Sequence, residues 1–229
     1  YNDTGILAQY ISEPALAEGS KHVLRHLGWT MCAKEFVDRI CAEMSKSPPN
    51  AGDLGELVAC MLLLHVGDSF PDSKLATSIG AAKFLDRLVG NDWQDRLQDR
   101  LSSGGHDTRQ AGKRRSNKFV QAMQRGLVSF NHFVRVKHVT KDKANSEWPK
   151  LLRWAWARQA AIICAAGQAG IDLVIPIFYE VTADGTWALG CFIVQVKTTD
   201  DLCPTEAQAS VIGWSSVDDD VFARIYLGL

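Results

Sequence analysis

The chain is defined first by what it lacks. Its 229 residues contain no run of about 18 apolar residues, so no apolar membrane span is expected. No basic-then-apolar leader opens it, and so no signal peptide is expected. It starts at Tyr1 without Met and ends in a strand-like stretch, which suggests a piece of a longer protein. The six cysteines, at 32, 41, 60, 164, 191 and 203, include no Cys-x-x-Cys pair. Most sit among apolar neighbours, where Cys behaves as a small hydrophobe. They read as free thiols in a reducing, intracellular compartment rather than zinc ligands or a disulfide framework. There is no Gly-rich phosphate-binding loop. Net charge is −1, which excludes a uniformly basic or acidic protein.

The neutral average hides an uneven distribution. From Arg109 to Arg158 thirteen basic residues are opposed only by Asp142 and Glu147, while Asp200-Asp201 and Asp218-Asp219-Asp220 make the remainder acidic. A basic middle segment is either a phosphate-backbone footprint or a solvated surface. Within it, Lys113-Arg114-Arg115, with Lys118 close behind, are candidates for phosphate contact, and the same run could serve as a nuclear address.

The coarse pattern is mixed α/β. Ser12-Glu-Pro-Ala opens a helix to about His26, and Thr30 caps a second to about Met44. Ser47-Pro-Pro-Asn breaks the chain. Gly52-Asp-Leu-Gly-Glu-Leu-Val-Ala-Cys-Met-Leu-Leu-Leu64 is apolar nearly all round and should be a buried helix. Helices are expected over 74–89, 92–102 and 117–128, then an extra strand within 130–139. His132 there is a candidate auxiliary base, against the blander reading of a hydrogen-bonded structural histidine. His22 and His26 share a helix face but have no third ligand nearby. A helix starts at Asn145-Ser-Glu-Trp-Pro, with Trp148, Trp154 and Trp156 read as core mass rather than base-stacking surfaces.

The last third reads as strands. Gln159-Ala-Ala-Ile-Ile-Cys-Ala and the Gly167-Gln-Ala-Gly170 turn lead into Ile171-Asp-Leu-Val-Ile-Pro-Ile-Phe-Tyr, then Cys191-Phe-Ile-Val-Gln-Val-Lys197. Asp184-Gly185 is a hairpin signal. A turn there sets Asp172 opposite Lys197 and Val174 opposite Gln195. Alternation puts Gln195 and Lys197 on one face, and Asp172 joins them as a cross-strand neighbour. Pro176 inside the Asp172 strand implies an edge position or a bulge. A helix start at Pro204-Thr-Glu-Ala and a final strand, Val221–Leu227, close the succession. An acid, an amide and an ammonium at one hairpin end are either a structural Asp172–Lys197 ion pair or hard oxygen ligands for Mg²⁺ with an adjacent cation.

Asp172 followed by Gln195-Val196-Lys197 on the next strand resembles the D…(D/E/Q)-x-K signature of the PD-(D/E)XK, restriction-endonuclease-like nucleases, in the Mrr-like form with Gln for the second acid. Gly52-Asp-Leu-Gly-Glu56 is similar to the family's first core helix, whose Glu reaches the metal site. The resemblance covers about 51–66 and 160–229. It leaves 67–146 as a largely helical, basic insertion within a single domain, with 1–50 as a helical N-terminal part. Ile171 stands where the family has Pro, and Gln195 where it usually has an acid. The chain also looks like the nuclease-like C-terminal modules of fungal Crinkler-type proteins.

The resemblance implies a restriction-endonuclease-like mixed sheet core and a Mg²⁺- or Mn²⁺-dependent nuclease acting on DNA, with RNA as a further possible substrate. Asp172, Gln195 and Glu56 would hold the metal, and Lys197 would assist the attacking water. From the residues alone, Glu56 is either this third acid or a charge complementing the helix N-terminus, and Glu147 is the fallback. A catalytically silent module binding nucleic acid or a protein partner is the alternative from another class.

Overall fold

The computed structural model describes residues 16–20, 34–35, 38, 41–42, 45, 51–68, 78–95, 120, 122–140, 143–166, 171–180, 187–197 and 222–228. The described residues of 16–45 are helical. The principal elements, in chain order, are helix α1 (Ala51–Asp68), strand β1 (Ile79–Gly80), helix α2 (Ala81–Val89), β2 (Leu127–Val128), β3 (His132–Arg135), α3 (Ala144–Ala157), β4 (Ala160–Ile163), β5 (Leu173–Glu180), β6 (Trp187–Lys197) and β7 (Phe222–Gly228).

The seven strands form one mixed sheet. β5 is its hub. One edge pairs antiparallel with β6 along the whole of β5. The other edge pairs with β4 at Leu173 and Val174, then with β2 at Ile177 and Phe178. β6 continues to β7, and β4 to β3, both in parallel. Pro176 falls where the second edge changes partner. The expected edge position or bulge is therefore not what accommodates it: Pro176 pairs in unbroken register with Cys191 in the middle of the sheet. A residue with no N–H to donate suits the one place where neither β4 nor β2 is paired.

Alternation along β5 and β6 sorts their side chains into two cores. Leu173, Ile175, Ile177, Phe192 and Val194 face one cluster, with Ala59, Cys60, Leu63 and Val66 of α1 and Phe84 and Leu85 of α2. Val174, Cys191 and Ile193 face another, with Trp148, Leu151, Leu152 and Ala155 of α3. The sheet is thus sandwiched between α1 with α2 and α3, which gives the mixed α/β class expected. The expectation that α1 is buried all round is met on one face: Ala59, Cys60, Leu63 and Val66 pack into the core, while Leu57, Val58 and Leu62 are exposed at 38–39%.

Several expected boundaries move. The helix expected over 74–89 begins at Ala81, because Ile79 and Gly80 pair with β2 instead. The helix expected over 117–128 gives way by Gly126 to β2. A Cβ at Gly126 would stand 2.5 Å from the Ala122 carbonyl oxygen, while Gly126 O accepts the Ala81 N–H at 2.8 Å. α3 starts at Ala144, which puts Pro149 inside the helix rather than in its first turn. Of 92–102, the described residues 93–95 are helical. The stretches expected to hold the turn at Asp184-Gly185 and the helix after Pro204 lie outside the described residues.

Candidate functional site

The register of the β5–β6 hairpin differs from the expected one by two residues. Val174 pairs with Ile193, not Gln195, and Leu173 pairs with Val194. The ladder ends at Leu173–Val194, and Asp172, one residue earlier, donates its N–H to the same Val194 rather than standing opposite Lys197. A slip of one residue would have turned every side chain to the wrong core; a slip of two leaves each on its expected face, so hydrophobic pattern alone does not separate the two registers.

Asp172 lies just before β5, where the chain bends. Its N–H donates to Val194 O at 3.0 Å, and its carbonyl accepts from Cys164 N–H at 2.8 Å. Its side chain accepts the Val196 N–H at Oδ2, at 2.6 Å. The carboxylate thus replaces a ladder carbonyl at the end of β6. Burial pushes the Asp172 carboxyl above its ordinary 3.8, while the Val196 hydrogen bond and the charge of Lys197 act in the opposite direction. Lys197 is near enough to be felt, yet the two do not form an ion pair, so the structural Asp172–Lys197 bridge is not formed.

Gln195 lies between Val194 and Val196 on the face away from α1. It is 8% exposed, and its Oε1 is buried with no hydrogen-bond partner. Such an orphan acceptor costs about 1–3 kcal/mol. Lys197, two residues on, is half-buried on the same face. The hairpin end therefore presents a half-buried carboxylate, an unsatisfied amide oxygen and an ammonium group.

Glu56 takes another position. Its carboxylate binds Arg135 Nη2 of β3 at 3.0 Å, and Arg135 Nη1 donates to Cys164 O at 3.3 Å. Cys164 in turn joins Asp172 through its N–H. The charges of both Asp172 and Glu56 reach the Cys164 thiol, which burial already pushes up. Cys60 is pushed up to about 12, first by burial and then by Glu56. Glu56 is therefore felt at Cys60 and at Cys164, the residue after β4, and its carboxylate is engaged by Arg135. Arg135 was counted among the basic residues and not foreseen at the site; the signal was its place on the strand that flanks β4.

Among the described residues, no group of three or more His, Cys, Asp and Glu side chains could hold a metal ion. Asp172 and Gln195 offer two oxygen ligands. Glu147, the fallback acid, pairs with Lys150 at 3.3 Å on α3. His132 Nδ1 lies 2.7 Å from Asn131 Oδ1, a structural placement. Lys113, Arg114, Arg115 and Lys118 lie outside the described residues. No helix of the described chain is long and apolar enough to cross a membrane. Comparison with protein-family models, curated proteins and solved structures finds no match.

Proposed function

We propose that the chain is a metal-dependent nuclease hydrolysing DNA phosphodiester bonds on a restriction-endonuclease-like core. The observation that carries this reading is Gln195. A buried amide oxygen without a partner, beside a carboxyl strained upward by burial, is a donor pair that a hard divalent cation would satisfy. The element succession also supports it: helix α1, three antiparallel strands β4, β5 and β6, and a last strand parallel to β6.

Asp172 and Gln195 would hold Mg²⁺ or Mn²⁺, which supplies positive charge to a phosphate oxygen when bound. Lys197 holds the attacking water and offsets charge developing on the phosphate. Val196 N–H fixes the rotamer of Asp172 through Oδ2, which leaves Oδ1 for the cation. Glu56 and the Cys164 carbonyl hold Arg135, whose side chain is 45% exposed and would steer the DNA backbone. Glu56 acts in this scheme as a holder of Arg135.

The test is nicking of supercoiled plasmid with Mg²⁺, with Mn²⁺ and with chelator. The wild-type protein is expected to nick only with metal, and Lys197→Ala to lose about 10²-fold or more in rate. Equal rates in both proteins would overturn the assignment of Lys197. A second reading, a silent module that binds nucleic acid, is favoured by one observation: among the described residues no three His, Cys, Asp or Glu side chains gather to hold a metal ion. Metal-independent, salt-sensitive DNA binding with no nicking is its signature.

A further inference from the structure

At the far end of β6 from Lys197, three aromatic rings stack in series. Trp156 of α3 lies on Phe178 of β5, with centroids 5.2 Å apart and planes at 26°. Phe178 lies on Trp187 of β6 at 4.8 Å and 10°. Trp187 ends the series, and it is 44% exposed. An indole this exposed at the end of a parallel stack leaves apolar area in water and a ring free to take one more planar group.

Two of these rings, Phe178 and Trp187, border an open groove of about 430 Å³, which Pro149, Leu152, Arg153 and Leu189 also line. Arg153 is its charged lining residue and is exposed. One turn back along the solvent side of α3 stands Lys150, paired with Glu147. The acid beside Trp187 is Glu180, its partner across the hairpin, which is held by Arg125 at 3.4 Å. The groove thus offers a π-face and an unopposed guanidinium. A planar ring carrying an anion fits both; a neutral proline-rich peptide uses only the first.

We propose that this groove binds single-stranded nucleic acid, one base stacking on Trp187 and its phosphate meeting Arg153. The choice of nucleic acid over another planar anion rests on the nuclease reading. The site itself is separate: ten strand steps of about 3.3 Å place Trp187 roughly 33 Å from Lys197 along β6. The same face carries both, so a strand held at Trp187 is anchored about one duplex turn away from the hairpin end.

The experiment is fluorescence anisotropy with a labelled twelve-nucleotide single strand, in chelator, over a series of salt concentrations. Trp187→Ala is expected to weaken binding about tenfold or more, and Trp187→Phe to keep most of it. Arg153→Gln lowers the salt slope by about one. Thermal melts of each variant confirm that these surface changes leave the fold intact. Wild-type affinity in Trp187→Ala, or no binding by the wild-type protein, overturns the proposal. So does a proline-rich peptide that binds through Trp187 where the oligonucleotide does not. Because chelator silences cleavage, and Lys197→Ala serves as a second background, loss of nicking and loss of this binding are read separately.

Discussion

At the scale of single residues, the site is built from groups held away from their preferred states. The Asp172 carboxyl titrates above its ordinary 3.8. The folded chain therefore keeps this proton to higher pH than the unfolded chain does. The stability it contributes is full below about pH 4 and is lost as pH rises through the folded value. Asp172→Asn keeps an acceptor for the Val196 N–H and removes the titration. Its melting temperature should fall less than that of the wild-type protein between about pH 4 and pH 7. Parallel melting curves would place the pH dependence on other groups. Gln195→Leu removes an orphaned oxygen, so it should raise stability by about 1–3 kcal/mol while abolishing any melting shift on adding Mg²⁺. A lowered melting temperature would show that Oε1 is satisfied. The buried thiols supply another check. Cys60 and Cys164 are both pushed up, so at about pH 8 neither should react with a disulfide reagent in the native state, while exposed Cys41 should.

That Asp172, Gln195 and Lys197 gather at one end of the β5–β6 pair was legible in the sequence, because polar residues interrupt runs of Val and Ile there. Their relative placement was not, and the element scale shows why. Period-two alternation fixes which face a residue takes but is blind to a two-residue shift, and the turn that sets the shift depends on local backbone. Glu56 was legible as the single Glu of an apolar helix; its pairing with Arg135 was not, since 79 positions separate them. Gly126 shows the same limit. The pattern carries a helix through it, but the backbone of Ala122 lies too close for a side chain. Gly126→Ala should cost about 1–3 kcal/mol, read by chemical denaturation, because a carbonyl oxygen at 2.5 Å cannot move aside as a flexible side chain could. A neutral outcome would show that the junction between the helical residues 122–125 and β2 can shift.

For the molecule as a whole, the mixed α/β class followed from alternating helical and strand-like stretches, and the apolar strands found two helical layers to cover them. The forked pairing of β5 was not legible, because β2 returns from a distant segment to share an edge with β4. One consequence lies in time. β6 can pair with β5 as soon as Lys197 is made, but its other edge is covered by β7, which begins at Phe222. Roughly 25 residues at about 5–20 per second leave that edge bare for about 1–5 s during synthesis. A strand carrying Cys191, Phe192, Ile193 and Val194, all fully buried in the finished fold, is open to pairing with another chain in that interval. Chains truncated and released just after Lys197 should therefore aggregate or be cut by protease more readily than chains extended through Gly228.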